Sequence, residues 1–215
     1  MPRLASTTVT CTLVAAMALL LGACGSGDDA SPAGSAKSTG AKAKAKADPG
    51  GPTDAAQRPE ITLPSTFQLT FENWTSNDPL KQAVLADAKE ELRAGYAAII
   101  ANNPDSKDVA FYDSEGVVGQ TRAWIRTYTD KNLTVLGKLP AFAPKVVLGS
   151  NKRAAVVSYC TDESKAYTKN RKTGEKLGNP EGTSPYVSYS ISFAKNAQGV
   201  WQNTSQHGKR GACSR

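Results

Sequence analysis

Tyr186-Val187-Ser188-Tyr189-Ser190-Ile191-Ser192-Phe193-Ala194 alternates along its length, with Val187, Tyr189, Ile191 and Phe193 on one side and Ser188, Ser190 and Ser192 on the other. Successive side chains of a strand point to opposite faces, so the stretch reads as a strand with one packed and one polar face. Such one-sided burial belongs to antiparallel sheets. The same period of two recurs in Leu133 to Lys138, Lys145 to Leu148, Arg153 to Thr161 and Gly199 to Gln206. Pro140, Pro144, Gly149-Ser150-Asn151, Gly174, Gly178-Asn179-Pro180 and Asn196 to Gly199 read as the breaks between them.

Upstream of Leu133 the period changes. Asp78 fits an N-cap and Pro79 the first helical position, and Leu80, Val84, Ala88, Leu92, Tyr96 and Ile99/Ile100 follow at near-four-residue spacing until Asn102-Asn103-Pro104. A second helix is predicted from about Glu115 to Lys131, with Val117, Thr121, Trp124, Ile125 and Tyr128 as its buried stripe and Asn132 as a left-handed stop. Between them lies a short apolar piece, Val109 to Tyr112. Ahead of both, Thr66 to Trp74 alternates and predicts an edge strand or ordered arm. Two main helices followed by a meandering antiparallel sheet give an α+β domain, expected to span 61–215. These 155 residues suffice for one core and not for two.

The first 60 residues have another character. Arg3 precedes a mostly apolar run, Val9 to Leu21, which reads as a secretory signal; it is too short for the roughly 20 residues that cross a bilayer. The run closes on Leu21-Gly22-Ala23-Cys24, which resembles the lipobox of bacterial lipoproteins. The resemblance implies a signal peptide over 1–23 and a lipidated mature N-terminus at Cys24. A soluble product of ordinary signal cleavage is the alternative. Gly25 to Glu60 contains no Val, Ile, Leu or aromatic residue, so 24–60 is expected to be a disordered linker, about 30 Å in root-mean-square span. The expected address is the extracytoplasmic face of the cell membrane.

Two helices followed by long antiparallel strands, the last ending in Val200-Trp201-Gln202, resemble the NTF2-like (SnoaL-like) fold, in which a curved sheet wraps helices into a cone. More narrowly, Ala155 to Cys160, Gly199 to Gln202 and Gly211-Ala212-Cys213 resemble secreted lipoproteins of actinobacteria that share it. The resemblance implies a fold and an address, not an activity. Enzymes of this fold often work with an Asp, Tyr or His inside the cone, and Tyr96, Trp124, Tyr128, Asp130, Tyr159, Tyr189 and Trp201 are the residues here that could line one. Each has the plainer reading of core packing or, for Asp130, an exposed helix end.

Of the four cysteines, Cys11 lies in the signal, Cys24 takes the lipid, and Cys160 and Cys213 are expected to pair as a disulfide in an exported protein. A catalytic or metal-binding thiol is the alternative, but the sole histidine, His207, sits in what reads as an exposed tail. No metal and no cofactor are expected, and no phosphate-binding glycine motif is present.

Charge is divided. Residues 61–130 carry 6 Lys and Arg against 10 Asp and Glu, net −4, and residues 131–215 carry 14 against 4, net +10. Lys165, Lys169, Arg171, Lys172 and Lys176 crowd into what reads as a hairpin tip of solvated side chains. Their functional reading is contact with anionic lipid or wall polymer. Nucleic acid is not expected, because Tyr167 is the one aromatic among them. The leading expectation is therefore a tethered, non-catalytic binding or accessory domain at the cell envelope, whose partner could also be an envelope protein. The second is a small-molecule carrier or SnoaL-like enzyme using the cone. A deep cavity with a desolvated carboxylate favours the second, and one filled by Trp124 and Tyr128 the first.

Overall fold

The computed structural model describes residues 57–215; the signal segment, Cys24 and the linker up to residue 56 lie outside the described residues. Strand β1 (Phe67–Phe71) precedes helices α1 (Pro79–Ala101), α2 (Lys107–Tyr112) and α3 (Glu115–Thr129). Strands β2 (Leu133–Leu148), β3 (Ala154–Asp162), β4 (Lys165–Asn170), β5 (Lys176–Leu177), β6 (Tyr186–Lys195) and β7 (Trp201–Arg210) follow. The α+β class expected from the change of period is the one present.

The helix ends follow from local chemistry. The Asp78 carboxylate accepts from the backbone N–H of Leu80 at 2.8 Å and Lys81 at 3.2 Å, satisfying donors that a helix start leaves open. Asn102 stops α1 at φ 55°, and Asn132 takes the same φ of 55° after α3. In β6, Val187, Ile191 and Phe193 are buried while Ser190 is exposed, as the alternation requires.

The sheet runs in the order β5-β4-β2-β3-β6-β7, with β1 on β2. Four features differ from the sequence reading. First, β2 passes through both prolines. Pro140 falls where β2 changes partner, between Lys138 opposite Lys165 of β4 and Ala141 opposite Thr161 of β3. Pro144 sits in a bulge between Phe142 and Lys145, where the ladder needs no N–H from it and Ala143 takes φ 52°. Second, β1 pairs parallel to β2, because three helices cross over between them. Third, the basic stretch is a hairpin as expected, but Lys165 and Lys169 lie in β4 and Lys176 in β5, so of the five only Arg171 and Lys172 stand at its turn. Fourth, β7 continues to Arg210, opposite Val187, so His207 lies in a strand and not in a tail.

Two apolar clusters hold the layers together. One joins β1, α1, α2 and α3 to β2 through Phe67, Tyr96, Ile99, Tyr112, Ile125 and Leu139. The other packs Trp74, Val84 and Ala88 onto Val157, Phe193 and Trp201 of the sheet. Cys160 and Cys213 are joined, as expected, tying the C-terminal tail to β3 with Cα atoms 6.5 Å apart. The domain also begins earlier than residue 61. Arg58 donates from Nε to Asp87 Oδ1 at 2.6 Å and from Nη2 to Oδ2 at 3.0 Å, and the Trp201 N–H adds a third bond to that carboxylate at 2.9 Å. Asp87 is buried in α1, so the chain before Glu60 provides the counter-charge that this carboxylate needs.

Candidate functional site

A cavity of about 250 Å³ opens between α1, α3 and the helix-facing side of β3, β6 and β7. Glu91, Gly95 and Tyr96 come from α1, Gln120, Thr121 and Trp124 from α3. The sheet supplies Tyr159, Thr161, Tyr189 and Ile191, and Gln206, His207 and Gly208 form the β7 side. The strand period explains why Tyr159, Thr161, Tyr189 and Ile191 share one face. Gly95 is required on α1 for a packing reason: a Cβ there would stand 2.9 Å from the Trp124 ring.

Glu91 is the cavity's distinctive group. It is 8% exposed, and Asn203 Nδ2 donates to its Oε1 at 3.1 Å while Oε2 has no hydrogen-bond partner among the described residues. Burial, and then the nearby Asp113 carboxylate, push its pKa up to about 8 against the smaller opposing effect of the Asn203 bond. Asp113 is itself buried, and burial raises it to about 6 although the Thr121 hydroxyl and the Asn203 amide beside it pull the other way. Among the described residues, neither Asp113 oxygen has a partner at hydrogen-bond geometry, nor does Thr121 Oγ1 or Asn203 Oδ1. At neutral pH Glu91 is therefore mostly a protonated carboxyl, able to donate as well as accept.

The phenols around it stay neutral. Burial holds Tyr96 and Tyr159 well above the ordinary tyrosine range, with Tyr189's negative form adding to the effect on Tyr96 and Glu91's charge to that on Tyr159. Tyr159 stacks on Tyr189 with centroids 5.2 Å apart, and Trp124 stands edge-on to Tyr96 at 5.6 Å.

Of the aromatic residues singled out in the sequence, Tyr96, Trp124, Tyr159 and Tyr189 come together on this cavity. Tyr128 does not: it lines a neighbouring cavity of about 180 Å³ beside Phe67, Tyr167, Glu163 and Arg210. Trp201 is wholly buried in the second apolar cluster, away from both. Asp130 caps α3 and is exposed. His207 is exposed but lines the cavity, because β7 extends past it. Sequence reasoning missed Glu91, Thr161 and Gln206. The signal for Glu91 was present: Val84, Asp87, Glu91, Ala94 and Ala98 repeat at three and four residues, which places both acids on a buried helix face.

The basic cluster is not one surface. Arg171 Nη2 donates to the carbonyls of Ile99 at 2.6 Å and Ile100 at 3.0 Å, capping the end of α1, and Nε donates to Leu133 at 3.3 Å. Lys176 lies over the Tyr167 ring at 3.6 Å. Lys165, Lys169 and Lys172 are the exposed remainder. Among the described residues no three His, Cys, Asp or Glu side chains cluster as metal ligands, and no helix is long and apolar enough to cross a membrane.

No protein-family model matches the chain, and no curated protein matches it in sequence. Several solved structures resemble it. A ketosteroid isomerase-like protein from Erwinia carotovora atroseptica is 15% identical, covering 64% of this chain and 100% of its own, with a TM-score of 0.43. An NTF2-like superfamily protein from Salmonella enterica serovar Typhimurium is 14% identical, covering 60% and 92%, with a TM-score of 0.44. ActVI-ORFA from Streptomyces coelicolor is 8% identical, covering 61% and 98%, with a TM-score of 0.42. At these identities the likeness concerns the chain path alone.

Proposed function

We propose that this chain is a membrane-tethered small-molecule-binding domain whose site is the Glu91 cavity. The observation that carries the reading is Glu91 itself. A carboxyl group taken out of water with one oxygen unpartnered costs stability, and a bound ligand that supplies the missing hydrogen bond recovers it. The aromatic walls supply apolar contact and the side chains of Thr121, Thr161 and Gln206 supply directional contacts, the usual division of labour in a small-ligand pocket. A carboxyl whose pKa lies near 8 is also suited to proton transfer, which favours acid-base catalysis in the same cavity as a second reading.

The tether rests on Leu21-Gly22-Ala23-Cys24 and on the apolar-free linker behind it. Two acyl chains on Cys24 suffice for stable anchoring. Such a tether holds the domain near an anionic surface, where Lys165, Lys169 and Lys172 each add about 1 kcal/mol of salt-sensitive attraction.

Ligand-observed NMR with anionic, neutral and cationic fragments tests the site, using wild type and a Gln206→Trp variant that fills the cavity from β7. Saturable binding that the variant loses is the expected result. No saturable binding of any class, or binding undiminished in the variant, overturns the reading. For the tether, Cys24→Ala is expected to leave the membrane fraction; retention there after a high-salt wash overturns it.

A further inference from the structure

The charge and the walls of the cavity narrow the ligand to one chemical class, an inference that rests on the small-molecule reading above. Tyr96, Trp124, Tyr159 and Tyr189 line the space, and among the described residues no Lys or Arg does. Of the basic groups nearby, Arg58 is bound to Asp87, and Arg122 stands 3.5 Å from the Asp105 carboxylate without a hydrogen bond from its Nε among the described residues. Behind Glu91 stands a second buried carboxyl, Asp113, that adds to the negative side of the balance. Aromatic faces are themselves negative and attract cations, most strongly where water is excluded.

The other groups that face Glu91 do not alter this balance. On α1, Asp87 is one turn back and is neutralised by Arg58. Gln120 and Thr121 of α3, Thr161 of β3, and Asn203 and Gln206 of β7 are uncharged, and the phenols of Tyr96, Tyr159 and Tyr189 stay protonated. His207 is exposed on the β7 side.

We infer that the cavity takes a small organic ammonium compound, its cationic head seated among Tyr96, Trp124, Tyr159 and Tyr189 and paired with the Glu91 carboxylate. The ammonium charge pairs through space with Glu91, whose buried Oε2 has no hydrogen-bond partner among the described residues, and the aromatic faces replace the water around its alkyl groups. At about 250 Å³ the space suits a head group with a short tail rather than a drug-sized molecule. Binding requires the ionised carboxylate, so the cation and the proton on Glu91 compete. Affinity therefore rises with pH through about 8 and levels off above it.

The test is isothermal calorimetry on the full chain with choline and tetramethylammonium, against 3,3-dimethyl-1-butanol, the uncharged isostere of choline, at constant ionic strength. The expected result is saturable binding of the two cations, about tenfold tighter at pH 9 than at pH 7, with weaker, pH-independent binding of the alcohol. Glu91→Gln should weaken the cations at pH 9 by at least about tenfold and remove their pH dependence. Alcohol binding as tight as choline, or cation binding that tightens towards pH 7, overturns the ammonium inference and leaves the small-molecule site standing. A pH dependence that survives Glu91→Gln overturns the pairing with Glu91. If neither cation binds while any neutral or anionic fragment does, the ligand class is wrong; if nothing binds, the site itself is.

Discussion

Asn203 Nδ2 donates to Glu91 Oε1 across 3.1 Å, joining the last strand to the first long helix over 112 positions of sequence. The bond fixes one carboxyl oxygen against the sheet and leaves the other buried without a partner among the described residues. Both the chemistry of the site and the pH response of the fold depend on that arrangement.

The pH response has a definite sign. Glu91 has a folded pKa raised to about 8, above its unfolded value, so the folded state holds a proton that the unfolded state releases. The stability that Glu91 contributes is therefore fully present below about pH 4.5, falls as pH rises towards 8 and is lost beyond. Asp113, raised to about 6, adds a decline over the lower part of that range. Thermal melts of Glu91→Gln between pH 5 and 9 should show the fall from 6 to 8 largely removed and that below 6 reduced to the part Asp113 contributes. Parallel curves for variant and wild type would falsify the assignment.

Arg58 fixes where the domain begins. A chain starting at Ile61 lacks the counter-charge for buried Asp87, and Arg58→Ala lacks it too. Because Arg58 is 39% exposed, water replaces part of its contribution, and the expected loss is about 1–3 kcal/mol in either case. Urea denaturation measures it. Asp87→Asn placed on Arg58→Ala should recover part of the loss, since the carboxylate no longer needs a partner; no recovery would mean that Arg58 acts through packing instead.

Arg171 and its neighbours should separate. Removing the guanidinium that caps α1 takes the Arg171 donor from the Ile100 carbonyl and leaves the Ile99 carbonyl with the Asn102 N–H alone, so Arg171→Ala is expected to cost about 1–2 kcal/mol. Lys169→Ala and Lys172→Ala, at exposed positions, should stay within about 0.5 kcal/mol of wild type. Three equal values in chemical denaturation would contradict the division.

The disulfide closes a separation of 53 residues, for which chain entropy gives roughly 4 kcal/mol. Cys160→Ala and Cys213→Ala should each lose a few kcal/mol, and the double variant no more than about either alone, because all three remove one crosslink. Peptide mapping without reduction checks the linkage directly: a Cys160 peptide found free in the wild type would refute it.

Local chemistry by itself determined a good part of this protein. The cap at Asp78, the left-handed Asn102 and Asn132, the one-sided burial of β6 and the Cys160–Cys213 link all follow from short-range rules or from counting, and the structure has each of them. Periodicity shows which face of an element is buried, but not what it is buried against. Tyr189 and Trp201 both lie on the packed side of the sheet, yet one lines the cavity and the other fills the core, a difference set by where the helices cross the strands. The same limit hid Glu91 and Asp87, two acids on one buried helix face with opposite fates. Asp87 meets Arg58 from a stretch that reads as linker, whereas Glu91 meets an amide and a second carboxyl. Long-range pairing also decided the path of β2. A proline forbids a ladder bond only where a partner asks for one, and the change of partner at Pro140 and the bulge at Pro144 exist only once β1, β3 and β4 have assembled around it.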